Sequence, residues 1–203
     1  MAGLRERKKE QTRAALSWAA LHLAVERGLA GVTVDEIAAE AGVSPRTFNN
    51  YFANKYEAIV WRHLDRFARI ADQLRTRPDT EPLWTALTGA AAGVFGTTDS
   101  AGPGPTAEWT AGVRLLLEQP ELRGEFVKAA AAADRELAAA VAERTGTHPD
   151  QDMYPRLVAA AVGAAVQAAS EQWLRADPPV TLASLIADAL GQFAAGLPDP
   201  RAT

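Results

Sequence analysis

The chain has 203 residues, 48% hydrophobic and 23% charged, with a net charge of −4, which suits one or two small domains with their own cores. Forty-four residues are alanine and only 7% are aromatic, so the composition favours many close-packed helices over a large sheet. The absence of cysteine excludes disulfides, cysteine zinc sites, thiol catalysis and iron–sulfur clusters, and a reducing, cytoplasmic home is the expectation. No run approaches the roughly 18 apolar residues of a membrane-spanning helix. The basic N-terminus, MAGLRERKKEQTR, lacks the apolar stretch of a secretory signal.

Charge is unevenly divided. Residues 1–13 carry Arg5, Arg7, Lys8, Lys9 and Arg13 against Glu6 and Glu10, and residues 1–57 are net positive while residues 58–203 are net negative. The first helix is predicted over residues 4–28, with Leu16, Ala19, Ala20 and Leu23 at helical spacing and Gly28 as its stop. Thr33-Val34-Asp35-Glu36 is a capping box opening a helix whose apolar stripe is Val34, Ile37, Ala38 and Ala41. Gly42 ends it with a sharp turn. Ser44 as N-cap and Pro45 at the first helical position begin a short helix over 45–52, and Asn54 through Glu57 open a long one to residue 76. Further helices are predicted over 81–95, 107–117, 120–145, 151–175 and 180–196, about nine in all, separated by a Gly/Pro/Ser/Thr-rich loop at 97–106 and by breaks at Pro149 and Pro178-Pro179. The expected fold is all-α, with a head over 1–53, a connecting helix over 54–76 and a second helical domain over 77–203.

A helix, a glycine-containing turn and a second short helix form the helix-turn-helix pattern, whose second helix enters the major groove. Thr33 and Ser44 place hydroxyls at helix N-termini, where the positive dipole end attracts phosphate. Arg46 and Thr47 stand in the first turn of the second helix, where an arginine can pair with guanine. The three asparagines of the chain, Asn49, Asn50 and Asn54, all fall within six residues there, and asparagine pairs with adenine. Tyr51 and Lys55 are candidate phosphate contacts. Two readings stand side by side for several of these residues: Thr33, Ser44 and Asn54 also serve simply as caps, Tyr51 as half core, and Arg46 as a solvated charge. Phe48 and Phe52 are expected in the core.

The stretch Val32 to Ile59, VTVDEIAAEAGVSPRTFNNYFANKYEAI, resembles the N-terminal domain of tetracycline-repressor (TetR) family regulators of the actinobacterial type. The likeness covers residues 5–60 and rests on Thr33, Ile37-Ala38, Ala41 to Ser44, Thr47-Phe48, Tyr51-Phe52 and Asn54-Lys55. Its wording is nearest to the subgroup that includes the mycofactocin-system regulators. The chain departs from the family at Asn49, where many members have tyrosine, so a usual phosphate contact is missing or replaced. The resemblance implies an all-α homodimer with a three-helix DNA-binding head and a C-terminal domain that binds a ligand and dimerises.

In that second domain the larger apolar side chains Trp84, Phe95, Trp109, Leu116, Phe126 and Trp173 are the candidates to line a ligand cavity, each also plausible as ordinary core. Leu157, Ala161, Ala164, Ala165 and Ala168, with Leu182, Leu185, Ile186, Ala189 and Phe193, form two apolar helices suited to a four-helix bundle across a two-fold axis, or to packing within one chain. Arg114 and Glu118, four apart, suit an ion pair more than a ligand anchor. His22, His63 and His148 are scattered without metal-ligand spacing, and no phosphate-binding loop or nucleophile elbow is present, so no metal, cofactor or catalytic role is expected. The function expected is a ligand-responsive transcriptional repressor. It acts as a homodimer on palindromic double-stranded DNA, and a small hydrophobic effector releases it. An activator on the same fold, or a small-molecule-binding protein or enzyme without DNA binding, are the rivals.

Overall fold

A computed structural model describes residues 2–99, 106–176 and 180–199. Among the described residues there are nine α-helices and no strand: α1 Ala2–Arg27, α2 Val34–Glu40, α3 Pro45–Asn49, α4 Lys55–Thr76, α5 Leu83–Asp99, α6 Ala107–Leu117, α7 Pro120–Thr145, α8 Met153–Trp173 and α9 Leu182–Ala194. The predicted boundaries hold to within two residues except in two places. The short helix stops at Asn49 rather than residue 52, because Asn50 and Tyr51 donate to carbonyls three residues back and tighten the last turn. Helix α5 runs to Asp99, so the first residues of the predicted 97–106 loop are helical; residues 100–105 and the Pro178-Pro179 break lie outside the described residues.

Gly28 ends α1 with φ +76° and Gly42 ends α2 with φ +69°, a conformation glycine adopts without steric cost. No described helix is long and apolar enough to cross a membrane.

The helices sort into two compact units. The first comprises α1–α3, α4 as far as Leu64, α6, and α7 as far as Ala129; the second comprises the remainder of α4 and α7 with α5, α8 and α9. This departs from the expected linear division at residues 53 and 76. Helices α6 and early α7 pack with the head because their apolar residues Leu116, Leu122 and Ala129 join the core formed by Leu16, Ile37, Phe48 and Phe52. Ser17, fully buried, donates its hydroxyl to the Ala58 carbonyl at 2.6 Å and so ties α1 to the first turn of α4.

In the second unit α9 packs against α5 and α8, with Leu87, Val94, Val162, Ile186 and Leu190 buried. The turn after α4 is held by arginines. Arg144 donates from its two terminal nitrogens to the carbonyls of Arg77, Pro78 and Glu81, and Arg77 forms a two-pronged pair with Glu81. A Cβ at Gly89 would fall 2.5 Å from the Arg77 guanidinium, so any larger residue there would displace the end of that side chain. Arg75 is held by Glu136 and Glu143, and its guanidinium keeps the Glu143 carboxyl below the usual range. Replacing Arg144 by methionine keeps the aliphatic stem but orphans three carbonyls. We expect a loss of about 2 kcal/mol, seen as a fall in thermal midpoint of roughly 4–8 °C by calorimetry.

Asp134 on α7 has no hydrogen-bond or ion-pair partner among the described residues, and burial pushes its carboxyl up. It faces Gly163 of α8, where a Cβ would lie 3.4 Å from its Oδ1. A carboxyl raised on folding favours the protonated native state: its contribution is present below the ordinary aspartate range and is lost as pH rises through the raised value. Asp134→Asn should therefore raise the thermal midpoint at about pH 7.5, with the advantage vanishing at about pH 4. Equal shifts at both pH values would refute this.

Candidate nucleic-acid interface

The two short helices α2 and α3 are built by their caps. The Thr33 hydroxyl accepts from the Glu36 backbone N–H at 3.3 Å, and the Glu36 carboxylate accepts from the Thr33 N–H at 2.9 Å and from its hydroxyl at 2.8 Å. Those contacts, the hydroxyl bond foremost, hold the Glu36 carboxyl below its ordinary range. Arg27 pairs with the same carboxylate at 3.2 Å. Both Thr33 donors are thus engaged by Glu36, and a phosphate meeting Thr33 has to displace that carboxylate.

The Ser44 hydroxyl accepts from the Thr47 N–H at 3.1 Å and shares a 2.9 Å hydrogen bond with the Thr47 hydroxyl, while Pro45 occupies the first helical position. Phe48 turns inward and is fully buried. That places Ser44, Pro45, Arg46, Asn49 and Asn50 on the exposed side, with Thr47 and Tyr51 half-buried. Arg46 is exposed and makes no hydrogen bond or ion pair with any described residue. An arginine and an asparagine thus project from one helix of five residues, and a second asparagine from the residue that caps its end, with donors available for base edges.

Lys55 differs from the expectation of a simple phosphate contact. Its ammonium donates to the Leu29 carbonyl at 2.7 Å and the Val32 carbonyl at 2.8 Å, which fastens the start of α4 to the connection between α1 and α2. Its position alone did not reveal this, because the two carbonyls lie more than twenty residues away. Asn54 caps α4 by accepting from the Glu57 N–H at 2.8 Å, as predicted, but the Glu57 carboxylate returns to the Ala53 N–H rather than to that of the cap residue.

The six expected ligand-lining residues divide between the two units. Trp109, Leu116 and Phe126 belong to the first unit. Trp109 packs on the rings of Trp18 and His22 at 5.6 and 5.9 Å, Leu116 is buried in the head core, and Phe126 meets His63 edge-on at 6.0 Å. Gly112 faces Val25 so closely that a Cβ would stand 2.7 Å from its Cγ1. The signal for this lay in Trp18 and His22, two aromatics four apart on α1 that offer a surface for another helix. Trp84, Phe95 and Trp173 remain in the second unit: Phe95 is buried under the Arg66 guanidinium at 5.2 Å, and Trp84 stacks on Phe193 at 6.1 Å, with Trp173 half-buried.

The expected dimer residues also divide. Leu157, Ala164 and Ala168 are exposed, joined by Met153 and Tyr154, and Ala161, Leu185, Ala189 and Phe193 are half-buried. Ala165, Leu182 and Ile186 are buried within their own chain, because the helical period turns them toward the α5–α8–α9 core.

Residues 18–58 match the family profile "Bacterial regulatory proteins, tetR family", and residues 81–198 match that of the "MftR C-terminal domain". The transcriptional regulator TcmR of Streptomyces glaucescens is 34% identical over 86% of this chain and 79% of its own. The mycofactocin biosynthesis regulator MftR of Mycobacterium tuberculosis is 31% identical over 94% of this chain and 93% of its own. Similar solved structures include the fatty acid degradation regulator FadR of Bacillus halodurans, with TM-score 0.58 at 19% identity, covering 92% of this chain and 96% of that one. Thermus thermophilus FadR in complex with lauroyl-CoA aligns with TM-score 0.52 at 21% identity over 92% and 95%.

Proposed function

The chain belongs to the tetR family of bacterial regulatory proteins, as a helix-turn-helix transcriptional regulator and not an enzyme, and from that premise we propose that it is a homodimeric repressor of a palindromic operator, released by a hydrophobic effector. The observation that carries this reading is the capped pair α2 and α3, with Arg46 and Asn49 exposed on the recognition helix and Asn50 exposed at its C-cap. Two such helices about 34–36 Å apart reach successive major grooves. Thr33, Ser44, Pro45, Thr47 and Tyr51 supply backbone positioning, and the bases are read by Arg46, Asn49 and Asn50. The exposed face of α8 along Leu157, Ala164 and Ala168, with Leu185, Ala189 and Phe193 of α9, is the proposed two-fold contact. The protein acts in the cytoplasm, where its DNA lies.

The effector is proposed to occupy the second unit among Trp84, Phe95 and Trp173. Its class is hydrophobic or acyl-type, a reading supported by the lauroyl-CoA named for the Thermus thermophilus structure. Effector binding favours a state with weaker DNA affinity. Helices α4 and α7 each run from one unit into the other, so both carry the shift, and α6, packed on α1, receives it on the DNA-binding side.

The test is selection of bound duplexes from a random library at stated salt. Enrichment of a pseudo-palindrome supports the reading. No enrichment from protein denatured and refolded free of ligand, yet helical and dimeric, overturns it. Whether the operator lies where binding blocks or recruits polymerase decides repression against activation, and a promoter fusion measured with and without the protein settles that sign.

A further inference from the structure

We propose that Arg13 is a positioning residue for the recognition helix: its guanidinium, set against the rings of Phe52 and Trp61, fixes the pitch at which α3 meets DNA. The inference rests on the DNA-binding reading above. Helix α3 has five residues, too few for its own hydrogen bonds to hold an axis, so its direction comes from what its ends are fastened to. At its start the fastening is the Ser44 cap. At its end the chain passes within three residues to Phe52, which is 2% exposed and stands 5.7 Å from the Phe48 ring and 6.2 Å, edge-on, from the Trp61 ring.

Arg13 on α1 closes this row. Its guanidinium carbon lies 5.3 Å from the centre of the Phe52 ring and 5.2 Å from that of Trp61. One cation thereby ties α1 both to the residue that ends the recognition segment and to the second turn of α4. No carboxylate or carbonyl among the described residues pairs with it, and its Nε is buried without a hydrogen-bond partner. A buried donor left unpaired is costly, and such a group calls for an explanation. The explanation offered by the geometry is the planar cation itself: a guanidinium lies against aromatic rings in a fixed orientation, which neither the flexible ammonium of lysine nor an aliphatic chain reproduces.

The test uses the full-length chain with Arg13→Met, Arg13→Lys and Trp61→Leu, titrated against the selected operator and a scrambled duplex of equal length across a salt series. With positioning as the role, each variant keeps the wild-type helical circular dichroism, and its affinity and salt slope on the scrambled duplex are unchanged. Operator affinity falls at least roughly tenfold, the size of a misplaced base contact, and lysine does not restore it. Should both affinities fall together and the salt slope drop by about 0.9 per protomer, with lysine restoring both, Arg13 is a phosphate contact and the proposal is overturned. Unchanged operator affinity in folded Arg13→Met and Trp61→Leu overturns it as well. If Arg13→Met fails to fold, Trp61→Leu, which leaves Arg13 on Phe52, decides the matter. A wild-type protein that selects no duplex is a different failure, one of the DNA-binding reading.

Discussion

Arg46→Ala is expected to lower operator affinity by roughly 30- to 10⁴-fold while leaving the fold intact. A good bidentate contact to a base is worth about 1–3 kcal/mol, and a two-fold operator contains two copies of it. The magnitude follows from what Arg46 lacks in the free protein. It is exposed, and no described carboxylate competes for its guanidinium, so its hydrogen bonds to DNA replace only water. The neighbouring cations differ. Lys55 is committed to the Leu29 and Val32 carbonyls, and Arg27 to Glu36, so neither substitutes for it. The check is a titration of wild type and variant against the operator and against each single-base change in it. A base-reading arginine loses discrimination at one position per half-site and keeps its weak, salt-dependent binding elsewhere. Uniform weakening at every position would assign Arg46 to the phosphate backbone instead.

The second large effect is expected at the other end of the chain. Ala164→Glu should convert the proposed dimer to protomers and reduce operator affinity by about 10²–10⁴-fold, because binding of the second head is no longer tethered to the first. Ala164 lies on the exposed side of α8 with Leu157 and Ala168, and Leu157, Met153 and Tyr154 are 57%, 68% and 48% exposed in the single chain. So much exposed apolar surface on one helix is a liability for a protomer and an asset for an isologous contact. The substitution leaves the protomer core untouched, since the side chains that hold α8 to its own chain are Val158, Val162, Ala165, Val166 and Ala169 on the opposite face. Sedimentation at micromolar concentration and operator titration should move together. A dimer that survives the glutamate removes this face from the interface, and the buried Leu182 and Ile186 cannot replace it.

Local chemistry was legible wherever it is carried by neighbours in sequence. The capping box at Thr33, the Ser44 cap with Pro45 at the first helical turn and the glycine stops at 28 and 42 fixed the helices of the head, because a cap and its partner lie three residues apart. The exposed side of the short helix was equally legible: Arg46, Asn49 and Asn50 face outward and Phe48 and Phe52 inward. Tertiary structure alone decided the contacts between residues far apart in the chain. An apolar helix such as α6 has a sticky face but no address written on it, and here that face met Trp18 and His22 of α1. The same holds for Lys55 reaching two carbonyls, for Arg13 spanning Phe52 and Trp61, and for Ala165 turning into its own core while Ala164, one residue away, turns out. Periodicity specifies that a helix has two sides, and only the packing of the whole chain determines which neighbour each side receives.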